Sequence, residues 1–102
     1  MWLLVLFDLP TKTKADRKSY QNFRKYLIKD GFIMLQFSVY IRICRGDARV
    51  KKHINRIEEN KTNSGHIRII KITDKQYNDM SIVLGKKSKN EMARNTKQMV
   101  LI

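Results

Sequence analysis

The chain has 102 residues, of which 22 are Lys or Arg and 9 are Asp or Glu, so its formal net charge is +13. That length fits one domain and excludes two, and 42% hydrophobic residues suffice for a core, which excludes a wholly disordered chain. Cys44 is the only cysteine and cannot form an internal disulfide, so we expect a reducing, cytoplasmic location. With neither a signal peptide nor an apolar stretch near the roughly 18 residues that span a bilayer, no membrane partner is expected.

The first predicted elements are a strand and a helix. Residues 2–8 (WLLVLFD) are apolar on both faces, which predicts a central strand that is covered on both sides. Pro10 stops the strand, and Thr13 with Asp16 forms a capping-box-like start for a helix that runs to about Lys29. The predicted apolar stripe of this helix consists of Ala15, Phe23 and Leu27, with Tyr20 and Tyr26 at its margins.

The middle of the chain predicts two strands and a second helix. Residues 32–44 are rich in β-forming side chains but are long for one strand, so we place a break near Gln36-Phe37-Ser38. Gly46-Asp47 then opens a helix with Asp47 as its predicted N-cap. The stripe that this second helix buries is predicted to be Val50, Ile54 and Ile57.

The last predicted elements are a strand over 66–72, a short helix over 74–79 and a strand over 80–84. The resulting order predicts an α+β, ferredoxin-like β-α-β-β-α-β domain over residues 1–84. Residues 85–102 form a predicted tail whose apolar end (98–102) adds as an extra strand to a sheet edge, that of a partner subunit included. Helices cover only one sheet face in this fold, so a second subunit is the simplest cover for the other, and we expect a homodimer.

The positive charge is spread over both helices and the tail. Residues 10–30 carry seven basic and two acidic side chains, and residues 42–56 carry six and one. This distribution suits a phosphate backbone, and no base-reading donors can be assigned, so we expect non-specific or shape-directed binding of a nucleic-acid duplex. The basic residues that we assign to the nucleic-acid surface are Lys12, Lys14, Arg17, Lys18, Arg24, Lys25, Arg42 and Arg45.

An RNA-recognition motif shares the predicted topology and is disfavoured. Its third strand carries a Gly-containing signature with several aromatic rings that stack on bases. Residues 39–44 offer only Tyr40 and lack the glycines.

Asp8 is the principal candidate for chemistry. A carboxylate at the end of an apolar strand can hold Mg²⁺ or Mn²⁺ against a phosphate, and a symmetric dimer would bring two such carboxylates together. The alternative is that Asp8 caps the loop over 9–12 or pairs with Arg17 or Arg24.

The remaining candidates favour ordinary roles. His53 and His66 lie far apart without metal-ligand spacing, Cys44 is expected to be a small strand residue, and Ser38 lacks a His/Asp relay. No glycine-rich phosphate loop is present, which disfavours ATP or dinucleotide use.

Essentially the whole chain resembles the CRISPR-associated Cas2 family, in the branch that accompanies type II effector nucleases, and the first half carries the specific motifs. The resemblance is carried by FDLPT at residues 7–11, the pattern RKxYxxFRKxL in the first helix, and DGFIMLQFSVY at residues 30–40. It implies a ferredoxin-like homodimer with facing sheets, in which the last strand completes the partner's sheet. It also implies that Asp8 binds a divalent metal at the dimer interface, that Arg17 and Arg24 match the family's helix arginines, and that Phe37-Ser38 matches its aromatic-Ser step.

Two functions follow from the resemblance and the charge. The first is an adaptor for spacer acquisition that bridges dimers of the CRISPR integrase and holds the prespacer duplex. The second is a Mg²⁺- or Mn²⁺-dependent endonuclease of RNA or double-stranded DNA, with Asp8, Arg17 and Arg24 as its catalytic residues. A toxin-like ribonuclease of the same fold is a third expectation.

Overall fold

The chain forms an antiparallel four-stranded sheet with two long helices on one face. The structure is a computed structural model and describes residues 1–85. Its elements are β1 (Trp2–Asp8), α1 (Lys14–Lys29), β2 (Ile33–Gln36), β3 (Val39–Ile43), α2 (Asp47–Glu59), β4 (His66–Ile72) and α3 (Asp74–Asn78). The strand order β2-β3-β1-β4 is that of a ferredoxin-like sheet, so the predicted α+β fold is confirmed.

β1 is a central strand that contributes to two apolar layers. Leu3, Val5 and Phe7 belong to the core beneath α1 and α2, whereas Trp2 and Leu4 belong to a cluster on the opposite face. Successive side chains of a strand point to opposite faces, so a strand that is apolar throughout supplies both layers. The predicted central position of this strand is confirmed by its pairing with both β3 and β4.

α1 begins with the predicted capping box. The Asp16 backbone N–H donates to Thr13 Oγ1 at 3.0 Å, and the Thr13 N–H donates to Asp16 Oδ2 at 3.3 Å. Phe23 and Leu27 are buried, as predicted, but Ala15 is exposed. The prediction for Ala15 was wrong because the core beneath α1 begins at the half-buried Tyr20, so the first turn extends past it.

The predicted break within residues 32–44 is confirmed as a tight turn between β2 and β3. Gln36 and Val39 are register partners, so the turn consists of Phe37 and Ser38. Ser38, the second residue of the turn, has a φ of +61°, a left-handed conformation that glycine or asparagine usually supplies in tight turns. The Phe7 N–H donates to the Ser38 carbonyl at 3.1 Å, which ties the turn to β1.

The N-cap of α2 is Gly46, so the prediction of Asp47 as the cap was wrong. Gly46 has a φ of +88° and provides no side-chain cap, and Asp47 is the first helical residue. A carboxylate in the first turn still interacts favourably with the positive end of the helix dipole, which accounts for the acidic residue here. Val50 and Ile57 are buried as predicted, with Ile54 packed against the same core.

The predicted strand over 80–84 was also wrong. α3 packs against the sheet through Tyr77, whose ring stacks on Trp2 with centroids 4.1 Å apart. The segment that follows is irregular: Val83 and Leu84 are almost fully exposed, and within residues 1–85 no strand pairs with it. Apart from Gly85, the predicted tail over 85–102, with its strand over 98–102, lies outside the described residues.

Within residues 1–85, the sheet face opposite α1 and α2 is largely apolar and only partly covered, and it also carries the exposed Arg68 beside Leu6. α3 covers Trp2 at one end, but Leu6 keeps 39% of its surface exposed and Ile70 keeps 50%. We refer to this surface, which includes Leu4, Leu6, Ile41, Ile70 and Ile72, as the open face. The expectation that a second subunit covers it stays a prediction. No helix within residues 1–85 is long and apolar enough to cross a membrane.

Candidate functional site

The carboxyl end of β1 places Asp8 beside two other segments. Asp8 is the register partner of His66 at the start of β4, and the Phe37-Ser38 turn is tied to the preceding residue, Phe7. Asp8 follows Leu4 and Leu6 in the strand alternation, so its carboxylate emerges on the open face. Asp8, the predicted metal-binding residue, and the Phe37-Ser38 turn, which matches a family motif, therefore lie at the same end of the sheet.

The Asp8 carboxylate is exposed and makes no interaction that stabilises the fold within residues 1–85. Within the described part of the chain, its side chain makes no hydrogen bond and no ion pair. The alternative that Asp8 caps the following loop or pairs with Arg17 or Arg24 is therefore not what the structure shows. A carboxylate without an internal partner at the end of a fixed strand is available to a cation or a solvent-borne ligand.

Arg17 shapes the loop between β1 and α1. Its Nη1 donates to the Thr11 carbonyl at 3.2 Å and to the Lys12 carbonyl at 3.0 Å. The rest of the guanidinium faces solvent from the first turns of α1, because the residue as a whole is exposed. Arg17 is thus attached to the loop that follows Asp8 and makes no ion pair with Asp8 itself.

Arg24 lies two helical turns further along α1 and faces the β2 edge of the sheet. It is half-buried and lines a shallow groove with Ile28, Phe32 and Met34. Since α1 packs on the face opposite the one that carries Asp8, the structure does not gather Asp8, Arg17 and Arg24 into one cluster within a single chain. Their joint catalytic role stays a prediction.

The predicted nucleic-acid residues lie mainly on α1 and the adjoining loops. Those with exposed side chains are Lys12, Lys14, Arg17, Lys18, Lys25 and Arg45. Arg42 differs, because it is half-buried, its Nη1 donates to the Ile43 carbonyl at 3.3 Å, and its guanidinium lies beside Gly31. Its Nε is buried without a partner among residues 1–85. Most of these charges are therefore accessible to a polyanion, and that of Arg42 is largely enclosed.

α2 adds further basic side chains to the same side of the sheet. We call the outer surface of α1 and α2 the basic helix layer; its members from α2 are Arg49, Lys51, Lys52 and Arg56. Both helices pack on one sheet face, so charges that are distant in sequence share one surface. Such a surface raises the local concentration of polyanions.

A buried polar cluster links the two helices of this layer, and sequence reasoning missed it. Asp30, the C-cap of α1, lies 2.7 Å from His53 Nδ1 and accepts from Arg56 Nη1 at 2.9 Å and from the Tyr26 hydroxyl at 3.3 Å. Burial alone would raise the pKa of Asp30, but the hydrogen bonds and positive charge of His53 and Arg56 outweigh it and lower that pKa. Burial and the Asp30 carboxylate raise the pKa of Tyr26. The available signal was the position of His53 between Val50 and Ile57 on the buried stripe.

Neither Cys44 nor any cluster of acidic, histidine or cysteine side chains forms a second candidate site within residues 1–85. Cys44 is buried in the core and burial raises the pKa of its thiol, which agrees with a small apolar residue, but it lies just after the end of β3 and the prediction that it is a strand residue was wrong. Within residues 1–85 no group of three or more His, Cys, Asp or Glu side chains is placed to hold a metal ion. A metal at Asp8 would therefore need ligands from water, a phosphate or a second chain.

Comparison with known proteins identifies the family. The profile of the family described as "CRISPR associated protein Cas2" matches residues 1–80. The chain is 43% identical to the CRISPR-associated endoribonuclease Cas2 of Ligilactobacillus salivarius over 102 residues, covering 100% of this chain and 99% of the relative. It is 41% identical to the protein of the same name from Acidovorax ebreus, covering 99% of each.

A solved structure agrees on the fold. The crystal structure of Streptococcus pyogenes Cas2 at pH 6.5 superposes with a TM-score of 0.60 at 23% sequence identity, covering 80% of this chain and 99% of that one. The full-length relatives and the family profile, together with the sheet order, lead to one conclusion: the chain belongs to the CRISPR-associated Cas2 family.

Proposed function

We propose that the protein is a dimeric, double-stranded-DNA-binding adaptor for CRISPR spacer acquisition, which bridges integrase dimers and holds the prespacer. The observation that carries the proposal is the basic helix layer, where α1 and α2 present exposed cations on one side of the sheet. A cationic surface without assigned base-reading groups binds the phosphate backbone of any sequence. That property is the one that an adaptor for varied prespacers requires.

The open face supports the dimeric form of this adaptor. Half of the Ile70 surface and 39% of the Leu6 surface remain exposed on a sheet face that is largely apolar, although Arg68, the register partner of Leu6, also emerges there. A contiguous apolar patch of this kind is typical of an interface, and a two-fold axis allows the same patch to serve both subunits. With their open faces together, both protomers turn their basic helix layers outward, where a duplex can reach them.

Binding to a duplex of about two to three helical turns, with and without the integrase, tests the adaptor function. The expected result is an affinity that falls steeply as salt increases, because binding to phosphates releases condensed counterions. Absence of both salt-dependent duplex binding and association with the integrase would reject the proposal.

The second candidate is a metal-dependent endonuclease, and the unpartnered carboxylate of Asp8 favours it. The relatives carry the name endoribonuclease, and Asp8 offers the hard oxygen donor that Mg²⁺ or Mn²⁺ prefers. When bound, such a cation lowers the pKa of its water and neutralises phosphate charge. Asp8 would hold the cation on the open face, while Arg17 and Arg24, which lie on α1 across the sheet, would bind phosphate oxygens elsewhere along the same substrate.

Comparison of the unmodified chain with Asp8→Asn tests this second function. RNA and duplex DNA should be cleaved in Mg²⁺ or Mn²⁺ by the unmodified chain and at least a hundredfold more slowly by Asp8→Asn. Equal cleavage by the two proteins would assign the activity to another site or to a contaminant. A prespacer-integration assay run in parallel separates the two functions, and growth arrest upon expression would instead indicate a toxin-like ribonuclease.

A further inference from the structure

Asp8 and His66 are direct neighbours across the β1–β4 pair. They are register partners in an antiparallel ladder, so their side chains emerge on the same face of the sheet. Directly opposed residues in such a ladder have Cβ atoms about 4.5–5.5 Å apart. A carboxylate and an imidazole at that separation can reach one metal ion between them, although 58 positions separate them in the sequence.

Gly65 fixes His66 in this position. It has a φ of +94°, and a Cβ built there would lie 2.6 Å from the Asp8 carbonyl oxygen and 2.8 Å from Leu9 Cδ2. The chain before β4 therefore lies directly against the end of β1, closer than any residue with a side chain allows. This close approach holds the backbone of His66 beside that of Asp8 without help from the two side chains.

Both side chains are available to a ligand. Asp8 and His66 are exposed, and across residues 1–85 neither side chain takes part in a hydrogen bond or an ion pair. His53, by contrast, is 5% exposed and is engaged by Asp30. His53 therefore stabilises the fold through its bond to Asp30. His66, opposite the candidate metal-binding carboxylate of Asp8, makes no such interaction within residues 1–85.

We propose that His66 is a second protein ligand of the metal site at Asp8 and that it makes the site selective for Co²⁺, Ni²⁺ or Zn²⁺ over Mg²⁺. The inference rests on the proposed metal-binding role of Asp8. Imidazole nitrogen suits these transition ions, whereas Mg²⁺ prefers oxygen and keeps its waters. A two-fold partner on the open face would contribute the same pair, completing a site of mixed oxygen and nitrogen ligands.

The net positive charge of the protein weakens cation binding at Asp8, and the neutral imidazole of His66 can offset part of that effect. A chain of net charge +13 opposes the approach of a divalent cation, and one carboxylate offsets little of that repulsion. An imidazole adds coordination strength without adding a charge, and its contribution grows along the series from Mn²⁺ to Ni²⁺. Metal selectivity is therefore the property that shows whether His66 coordinates the metal or is merely exposed to solvent.

Metal titration of the full chain, without a histidine tag and after chelator treatment, tests the proposal. Calorimetry with Ni²⁺, Zn²⁺ and Mg²⁺ and electron paramagnetic resonance with Mn²⁺ measure affinity without reference to cleavage. We expect Ni²⁺ and Zn²⁺ to bind at least tenfold more tightly than Mg²⁺, and His66→Asn to remove that advantage while changing Mg²⁺ affinity less than twofold. Asp8→Asn should weaken binding of all four ions.

A relocated histidine provides the matched control. The double variant His66→Asn/Asn55→His keeps the same composition but places the imidazole on the exposed surface of α2. It should bind Ni²⁺ and Zn²⁺ as weakly as His66→Asn does. Recovery of the original affinity would mean that any surface imidazole suffices, and would overturn the proposal.

The remaining outcomes separate this inference from the function on which it rests. If the unmodified chain binds none of the four ions, both the metal site at Asp8 and the role of His66 are rejected. If Asp8→Asn abolishes binding while His66→Asn leaves every affinity unchanged, the metal site stands and the role of His66 is rejected. Circular dichroism of each variant verifies that the fold is intact.

Discussion

His53 on α2 lies 2.7 Å from the carboxylate of Asp30, which caps the end of α1. Because its pKa is lowered, the carboxylate is ionised and accepts the hydrogen bond, so the proton is on Nδ1 of the imidazole. Arg56 donates to the other carboxylate oxygen, and the Asp30 side chain keeps only 9% of its surface exposed. The two helices that carry the basic helix layer are therefore fixed to each other by one buried acid.

The first prediction concerns the removal of this charge. Asp30→Asn keeps the shape of the side chain but replaces a charged acceptor with an amide, leaving His53 and Arg56 imperfectly paired. We expect the free energy of unfolding to fall by about 1.5–3 kcal/mol at pH 7, the range for hydrogen bonds to charged groups. Urea denaturation followed by circular dichroism measures it, with Asp79→Asn, whose ion pair with Lys75 is exposed, as the control.

The same variant has a defined pH dependence. The pKa of Asp30 is lower in the folded protein than in the unfolded chain, so ionisation stabilises the fold above the unfolded pKa of about 3.9. That contribution is lost as the pH falls through the folded pKa. The difference in stability between the unmodified chain and Asp30→Asn should therefore shrink below about pH 4, and a difference that is constant with pH would contradict the assignment.

The second prediction concerns the close approach of Gly65 to Asp8. Gly65→Ala adds a Cβ that meets backbone at 2.6 Å and also adopts a positive φ, whereas Gly46→Ala meets nothing within 4 Å at a similar φ. The positive φ costs a residue with a Cβ about 1–3 kcal/mol at either position, and crowding at position 65 adds about 1–3 kcal/mol. Gly65→Ala should therefore destabilise the fold by more than Gly46→Ala, and equal destabilisation in thermal or urea unfolding would exclude the close approach.

The third prediction concerns the open face. Ile70→Glu places a carboxylate at the proposed dimer interface, where its burial without a partner would cost several kcal/mol. The association constant of the dimer should fall at least tenfold in sedimentation equilibrium. Ile28→Glu is the control because Ile28 is 48% exposed on α1, close to the 50% of Ile70, and should leave the dimer intact. A dimer that tolerates Ile70→Glu as well as Ile28→Glu would place the interface elsewhere.

The fourth prediction concerns binding of duplex DNA. Lys18→Gln removes one exposed charge from the basic helix layer, whereas Lys75→Gln removes one from α3, on the other side of the sheet. The slope of log affinity against log salt should decrease by about 0.9 for each phosphate that Lys18 neutralises in the unmodified protein. Lys75→Gln should leave the slope unchanged. Equal changes of this slope in the two variants would indicate that duplex binding depends on the net charge of the protein and not on the basic helix layer.

Much of the fold could be predicted because local signals agree with the tertiary arrangement. The run over residues 2–8 is apolar at every position before Asp8, which only a strand covered on both faces explains. The Thr13–Asp16 capping box placed the start of α1 to the residue. The segment over 80–84 is also mainly apolar but forms no strand, because a strand also needs a neighbouring strand, and the sequence pattern does not show whether one is present.

The candidate site was predicted in part for a similar reason. Asp8 could be found because a carboxylate at the end of an apolar strand is conspicuous in the sequence. Its relation to His66 depends on the β1–β4 register, and the link between Asp30 and His53 depends on how two helices pack. Such pairings depend on contacts between residues that are distant in the sequence. An interpretation based on motif spacing therefore assigned no special role to His53 or His66.

The central position of β1 also determines how long this strand stays formed, although Asp8 itself pairs only with β4. β1 is hydrogen-bonded to β3 on one side and to β4 on the other, whereas, among the strands of residues 1–85, β2 and β4 each have one neighbour. Local opening at either edge can release β2 or β4 without breaking both ladders of β1. Amide protons of Leu4 and Val5 should therefore be among the slowest to exchange with deuterium, and the strand that carries Asp8 will open only when the whole domain unfolds.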